Sequence, residues 1–293
     1  MANNPSTPGQ RLQNALQAEQ PLAVVGTINA FCALLAQRAG FNAIYLSGAG
    51  VANASFGIPD LGMTSLDNII EDVSRITSIT ELPLIADADT GFSDPAQCAQ
   101  TLSKAGAAAM QIEDQVEDKR CGHRPGKVLV SSEEMQQRIK AAIQGRNDPH
   151  FMIIARTDAH SSEGLNAAIQ RANYYVDAGA QMIFAEALTR IDEYKQFAAQ
   201  VSVPVIANIT EFGKTPLYTM DELGEAGIQA VLYPLTAFRA MSAAAQDVYE
   251  TLRRERSQLS LLDKMQTRDE LYDILNYHQF EQQLDAKLAG DED

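Results

Sequence analysis

One pattern recurs four times and constrains the fold more than any other feature of the chain. It reads x-Ala-Gly, one to three residues, then a short apolar run: "RAGFNAIYLS" (38–47), "KAGAAAMQIED" (104–114), "DAGAQMIFAEA" (177–187) and "EAGIQAVLYP" (225–234). A glycine in the left-handed conformation ends a helix without steric cost, and the run after it reads as a buried strand. Each repeat is therefore the end of a helix feeding a strand.

Four more runs fill the gaps: "PLAVVG" (21–26), "LPLIAD" (82–87), "FMIIAR" (151–156) and "VPVIAN" (203–208). Pro83 and Pro204 stand where strands tolerate proline, at the first position. Helical patterns such as "NAFCALLAQRAG" (29–40) and "GLNAAIQRANYYVDAG" (164–179) follow most strands. The strands are continuously apolar rather than alternating, as parallel strands covered on both faces are. Eight β-then-α units predict an α/β chain folded as a (β/α)8 barrel, with a doubly wound open sheet as the alternative. No glycine fingerprint for a dinucleotide follows the first strand. The expected division is a disordered lead over 1–10, a catalytic barrel over 11–240 with a lid loop at 115–134, and a helical arm over 241–293. Within the arm, 237–257 and 267–288 read as helices, either capping the barrel or packing on a neighbouring subunit.

A formal net charge of −15 excludes nucleic acid and anionic membranes as natural partners. Any anionic ligand must be held by local basic groups. The N-terminus lacks the basic and apolar regions of a secretory signal, and no apolar run reaches membrane-spanning length. Three cysteines, Cys32, Cys98 and Cys121, lack the spacing of a disulfide framework or a zinc site. A reduced, cytoplasmic protein is expected.

Barrel chemistry occurs where strands end. The second strand ends in Ser47-Gly48-Ala49-Gly50, the third in Asp87 and Asp89, the fourth in Glu113-Asp114. The fifth ends in Arg156, the sixth runs into Glu186, the seventh ends in Asn208-Ile209-Thr210, and Arg239 follows the eighth. Loops are polar everywhere, yet that alone does not put acids at three ends and arginines at two others. Asp87 and Asp89, two apart, point to one side if extended, so a cation between them would relieve their repulsion. Oxygen ligands with room for water suit Mg2+, although Asp-x-Asp pairs also serve as caps and turns. The small-residue loop at 47–50 offers backbone N–H groups to an anion, and each arginine can fork onto a carboxylate. Each arginine can equally pair with Glu186 or Asp158.

After the fourth strand comes "QVEDKRCGHRPGKVLVSSEE" (115–134), where Cys121 sits among Lys119, Arg120, His123 and Arg124. Cationic neighbours stabilise a thiolate, so Cys121 reads as a nucleophile or proton donor, or as a redox-sensitive or bystander thiol. Cys32 and Cys98 lie in apolar helical patterns and read as inert core.

"KRCGH", with "YLSGAG", "DADTGF", "IEDQ", "ARTDA" and "NITEFG", resembles the isocitrate lyase / phosphoenolpyruvate mutase superfamily over residues 20–280. The phosphonomutases of that family are not expected to have the cysteine loop. Isocitrate lyases are longer and usually read K-K-C-G-H, so this shorter chain is more similar to members acting on 2-methylisocitrate. Ala49 departs from the family, where glycine is usual.

The resemblance implies Mg2+-dependent (or Mn2+-dependent) cleavage of a small tricarboxylate, 2-methylisocitrate, to pyruvate and succinate, a step of the methylcitrate cycle of propionate catabolism. It implies metal anchoring by Asp87 and Asp89, largely through water, with Asp60 and Glu113 in support. Ser47, Gly48, Ala49 and Arg156 would hold the pyruvate-forming end. Gly122, Asn208, Ile209, Thr210, Arg239 and Arg268 would receive the succinate end, with His123 in the substrate loop and Glu186 shaping the middle. Cys121 would be the general acid and Tyr45 the candidate base. Phe184 and Leu232, where isocitrate lyases are expected to hold Trp and Thr, would leave room for the extra methyl. The resemblance implies a swapped C-terminal helix, and a homotetramer built as a dimer of dimers is expected. Isocitrate lyase, oxaloacetate decarboxylase and phosphonate cleavage remain rival activities on the same barrel, and a non-catalytic metabolite-binding barrel is the rival from another class.

Overall fold

The computed structural model describes residues 6–117 and 126–290. Eight parallel strands close into a barrel in sequence order: β1 (Leu22–Gly26), β2 (Ala43–Leu46), β3 (Leu84–Asp87), β4 (Ala109–Glu113), β5 (Met152–Thr157), β6 (Met182–Ala185), β7 (Val205–Asn208) and β8 (Ala230–Tyr233). β1 pairs with β8, Val24 opposite Leu232, so the open-sheet alternative is excluded. The four repeat glycines take the predicted left-handed conformation, φ being 88° at Gly40, 92° at Gly106, 106° at Gly179 and 86° at Gly227. A Cβ there would strain the turn that swings each helix into the next strand.

Two apolar clusters hold the barrel. One lies between sheet and helices and includes Ile44, Leu84, Met110, Ile153, Ile183, Val205 and Val231. The other fills the barrel itself, with Leu22, Val24, Ala43, Tyr45, Ile85, Ala109, Met152, Ile154, Met182, Phe184, Ile206 and Leu232. Consecutive residues of one strand go to opposite clusters, which is why these strands read as unbroken apolar runs.

The N-terminus departs from expectation. Residues 8–10 belong to a helix, Pro8–Ala18, capped by Thr7 and begun on a proline. Its Leu12, Ala15 and Leu16 join the inner cluster and form the barrel floor. Proline at a first helical position and a Thr cap are start signals that a polar, proline-bearing stretch can hide.

The chain forms two compact units, Met1–Phe238 and Arg239–Asp293. In the second, the helix predicted over 267–288 is two helices, Arg268–Ile274 and Tyr277–Gly290. They break at Asn276, whose φ is 54°, a conformation asparagine tolerates. Tyr272 stacks on Tyr277 across the break at 4.2 Å. Large apolar side chains on this unit, including Tyr249, Leu259 and Phe280, are exposed. Among the described residues no helix is long and apolar enough to cross a membrane.

Candidate active site

The C-terminal ends of the strands carry buried charge into the top of the barrel. Asp87 ends β3 and accepts a hydrogen bond from the Gly48 amide at 3.0 Å. Asp89 follows at φ 47°, its amide donating to Asp87 at 3.3 Å. Both carboxylates face the same corner, because a Cβ on Gly48 would lie 3.2 Å from Asp89 Oδ1 and 3.3 Å from Asp87 Oδ2. The predicted loop at 47–50 is helical: Gly48–Gly50 forms one turn and Val51–Ser55 continues as a π-turn. π-turns recur at functional sites because they re-aim the backbone groups before them.

Arg156 is the hub. Its guanidinium forks onto Asp158 at 3.0 and 3.2 Å, and stands 3.4 Å from Glu113 and 3.5 Å from Glu186. Its Cζ lies 5.2 Å from the Phe184 ring centroid, so Phe184 is the shelf beneath it. Burial works against the charge, but Asp158, Glu186 and Glu113 outweigh it and hold the guanidinium protonated. Glu186 also accepts from Asn208 Nδ2 at 3.2 Å. The predicted alternatives for Arg156, pairing with Glu186 or with Asp158, are therefore both present.

Tyr45 lies inside the barrel and donates to Gln111 Oε1 at 2.7 Å. Burial, then the charge of Asp87, push its phenol well above the ordinary tyrosine range. In this state Tyr45 is a neutral donor. Ser47, Ile209 and Thr210 are buried at the same end, and Ala49 is half-buried. Leu232, like Phe184, belongs to the inner cluster. Asp60 is half-buried in the loop after the π-turn. Arg239 and Arg268 are exposed residues of the second unit. Cys121, Gly122 and His123 lie outside the described residues. The expected loop ends earlier than 134, because Ser131 caps a helix that starts at Ser132. Cys32 and Cys98 are buried thiols outside any disulfide, and burial pushes the Cys98 thiol up to about 12, as expected of inert core.

Does this donor set fit a divalent cation? Among the described residues no three His, Cys, Asp or Glu side chains are grouped to hold a metal. Mg2+ does not require such a triple, since it keeps several waters and takes one or two carboxylates. Asp87, Asp89, Glu113, Asp158 and Glu186 are all buried at this end, against the cations Arg156 and Lys127. That excess of negative charge in a low-dielectric site favours a bound cation at Asp87 and Asp89.

Three residues here escaped the sequence reading: Gln111, Gln115 and Lys127. Gln115 donates to Glu113 at 3.1 Å and to Asp158 at 3.3 Å. The buried Gln111 Nε2 has no hydrogen-bond partner among the described residues. A signal existed: Gln111, Glu113 and Gln115 alternate with apolar or outward positions, the period of a strand with one polar face.

Residues 12–253 match the family described as phosphoenolpyruvate phosphomutase. The chain is 56% identical over 287 residues to 2-methylisocitrate lyase of Escherichia coli, covering 97% of each chain. It is 44% identical over 282 residues to 2-methylisocitrate lyase of Bacillus subtilis, covering 95% of this chain and 92% of that one. A solved structure of 2,3-dimethylmalate lyase, described as a PEP mutase/isocitrate lyase superfamily member, superposes with a TM-score of 0.89 at 32% identity, over 97% and 96% of the two chains. Phosphonopyruvate hydrolase in complex with oxalate and Mg2+ superposes at 0.82 with 27% identity, over 94% and 97%. Similarity this extensive in both sequence and fold leaves one assignment, and the chain belongs to the phosphoenolpyruvate mutase/isocitrate lyase superfamily.

Proposed function

We propose that the protein is a carbon–carbon lyase that cleaves 2-methylisocitrate to pyruvate and succinate. The observation that carries this reading is 56% identity to a 2-methylisocitrate lyase along nearly the whole of both chains. The buried acids and Arg156 at the barrel mouth support it chemically.

In the proposed reaction the substrate hydroxyl loses its proton and the carbon bearing it becomes the pyruvate ketone. The adjacent C–C bond breaks, and its electron pair moves onto the succinate half as an aci-carboxylate. The Cys121 thiol then gives its proton to that carbon, and the basic residues of its loop stabilise the thiolate left behind. Arg156, with the Ser47–Gly48–Ala49 turn, orients the pyruvate-forming carboxylate. Asn208, Ile209 and Thr210 receive the succinate end, with Gly122 and His123, and Glu186, which accepts a hydrogen bond from Asn208, sets its orientation. Asp87 and Asp89, with Asp60 and Glu113 in support, would hold Mg2+, which when bound would supply positive charge to the pyruvate-forming half of the substrate. Tyr45 is the candidate acceptor of the hydroxyl proton, a role only its phenolate can fill, whereas burial and then the charge of Asp87 both favour the neutral phenol. Phe184 and Leu232 leave the space for the substrate methyl.

Barrel residues 11–240 carry this chemistry, and the exposed apolar side chains beyond residue 240 pack on partner subunits in a homotetramer. Sedimentation showing only monomer at micromolar concentration would contradict that assembly. Two buried thiols outside any disulfide suit a reducing cytoplasm. The test of function is a coupled assay for pyruvate release from 2-methylisocitrate. Release with Mg2+ and none in chelator is expected, and no release under either condition overturns the reading.

A further inference from the structure

Lys127 is a charged side chain that the proposed chemistry does not use. It is nevertheless only 2% exposed, and its ammonium lies 2.8 Å from Oδ1 of Asp158, itself fully buried. That same oxygen accepts from Arg156 Nη2 at 3.2 Å, while Oδ2 accepts from Arg156 Nε at 3.0 Å and from Gln115 at 3.3 Å. One carboxylate thus serves two cations. The backbone around Lys127 is fixed independently of that contact. The Val116 amide donates to Val128 O at 3.0 Å, the Val130 amide to Asp114 O at 2.9 Å, and Gln115 bridges Leu129. The ammonium is therefore delivered to Asp158 by a pinned segment.

We infer that Lys127 is a positioning residue that balances Asp158 so that the Arg156 guanidinium keeps positive charge to spend on a substrate carboxylate. Without Lys127, Asp158 would have Arg156 as its only close cation among the described residues. In a buried site that pair would tighten, and the fork of Arg156 would be committed to its own protein rather than to ligand. Outer partners that orient a liganding group commonly matter about 10–100-fold in affinity or activity.

This inference rests on the proposed reading, in which Arg156 meets the pyruvate-forming end. The test is calorimetric binding of pyruvate and of succinate separately, with Mg2+ present, to wild type and to Lys127→Met. The expected result is pyruvate binding weakened about tenfold with succinate binding changed less than about twofold. Lys127→Arg, which keeps the charge, is expected to restore pyruvate binding to within about threefold. A merely structural lysine would weaken both ligands together, so an equal loss for both, or no loss for either, overturns the assignment. If Lys127→Met does not fold, Lys127→Gln is read in the same way. If neither neutral variant folds, Lys127→Arg is read alone: both ligands bound within about threefold of wild type supports the assignment, and a larger loss for either overturns it. Wild type that binds neither ligand and releases no pyruvate refutes the functional reading itself, which is a separate result.

Discussion

The lower and upper halves of the barrel interior are built from opposite materials. At the floor, Leu22, Ala43, Ala109, Met152, Met182 and Ala230 meet Leu12 and Leu16 of the N-terminal helix. At the mouth, the successive strands β3 to β7 end in or lead to Asp87, Glu113, Arg156, Glu186 and Asn208, all buried. The change takes one or two steps along a strand: Ala109, Gln111, Glu113 on β4, or Ile154 and Arg156 on β5. The apolar half excludes water beneath the ionic half, so each charge at the mouth acts in a medium where it is poorly screened. Stability and chemistry are thereby separated along one axis, and each half can be broken without the other.

The largest effect is expected at the mouth. Cys121→Ser should lose about 10²–10⁴-fold in turnover, as removal of a general acid does, with thermal stability and substrate binding kept. Near-normal turnover in that variant would make the thiol a bystander. Next comes the floor. Leu12→Ala removes a fully buried side chain and should cost about 2–5 kcal/mol in denaturant unfolding, with kcat/KM unchanged in the folded enzyme. A fall in kcat/KM there would show that the halves are coupled. Asp87→Ala should raise the Mg2+ requirement about 10–100-fold in a metal titration with only a small change in Tm, because relief of two like charges facing a common corner offsets the acceptor lost to the Gly48 and Asp89 amides. Full activity in chelator would exclude a metal role.

The narrowest effect, a change in selectivity alone, tests the border between the halves. Phe184 is at once core, in the inner cluster, and shelf, beneath Arg156. Phe184→Trp keeps an aromatic face for the guanidinium and adds bulk to the methyl space. It should shift the kcat/KM ratio of 2-methylisocitrate to isocitrate toward isocitrate by about 1–3 kcal/mol, or roughly 10–200-fold. An unchanged ratio would place the methyl elsewhere.

The barrel was legible because its signals are local. A glycine that ends a helix, a proline that opens a strand and an apolar run of strand length each act within a few residues, and their order implied closure. The acids and Arg156 were legible for the same reason, since strand ends can be read off strands. The floor helix was not, because "MANNPSTPGQ" reads as a lead until Leu12 and Leu16 find the inner cluster. Nor was the break at Asn276, where a helical pattern runs through a residue that takes the left-handed conformation. Residue identity along the chain thus determined the eight units, their parallel order and the acids at their ends. Only the tertiary structure decided that Asp158 serves two cations, that Gly48 gives Asp87 and Asp89 a shared corner, and that Phe184 lies under Arg156. Those relations join residues from different strands and loops, and contact, burial and charge balance between them exist only once the barrel has closed.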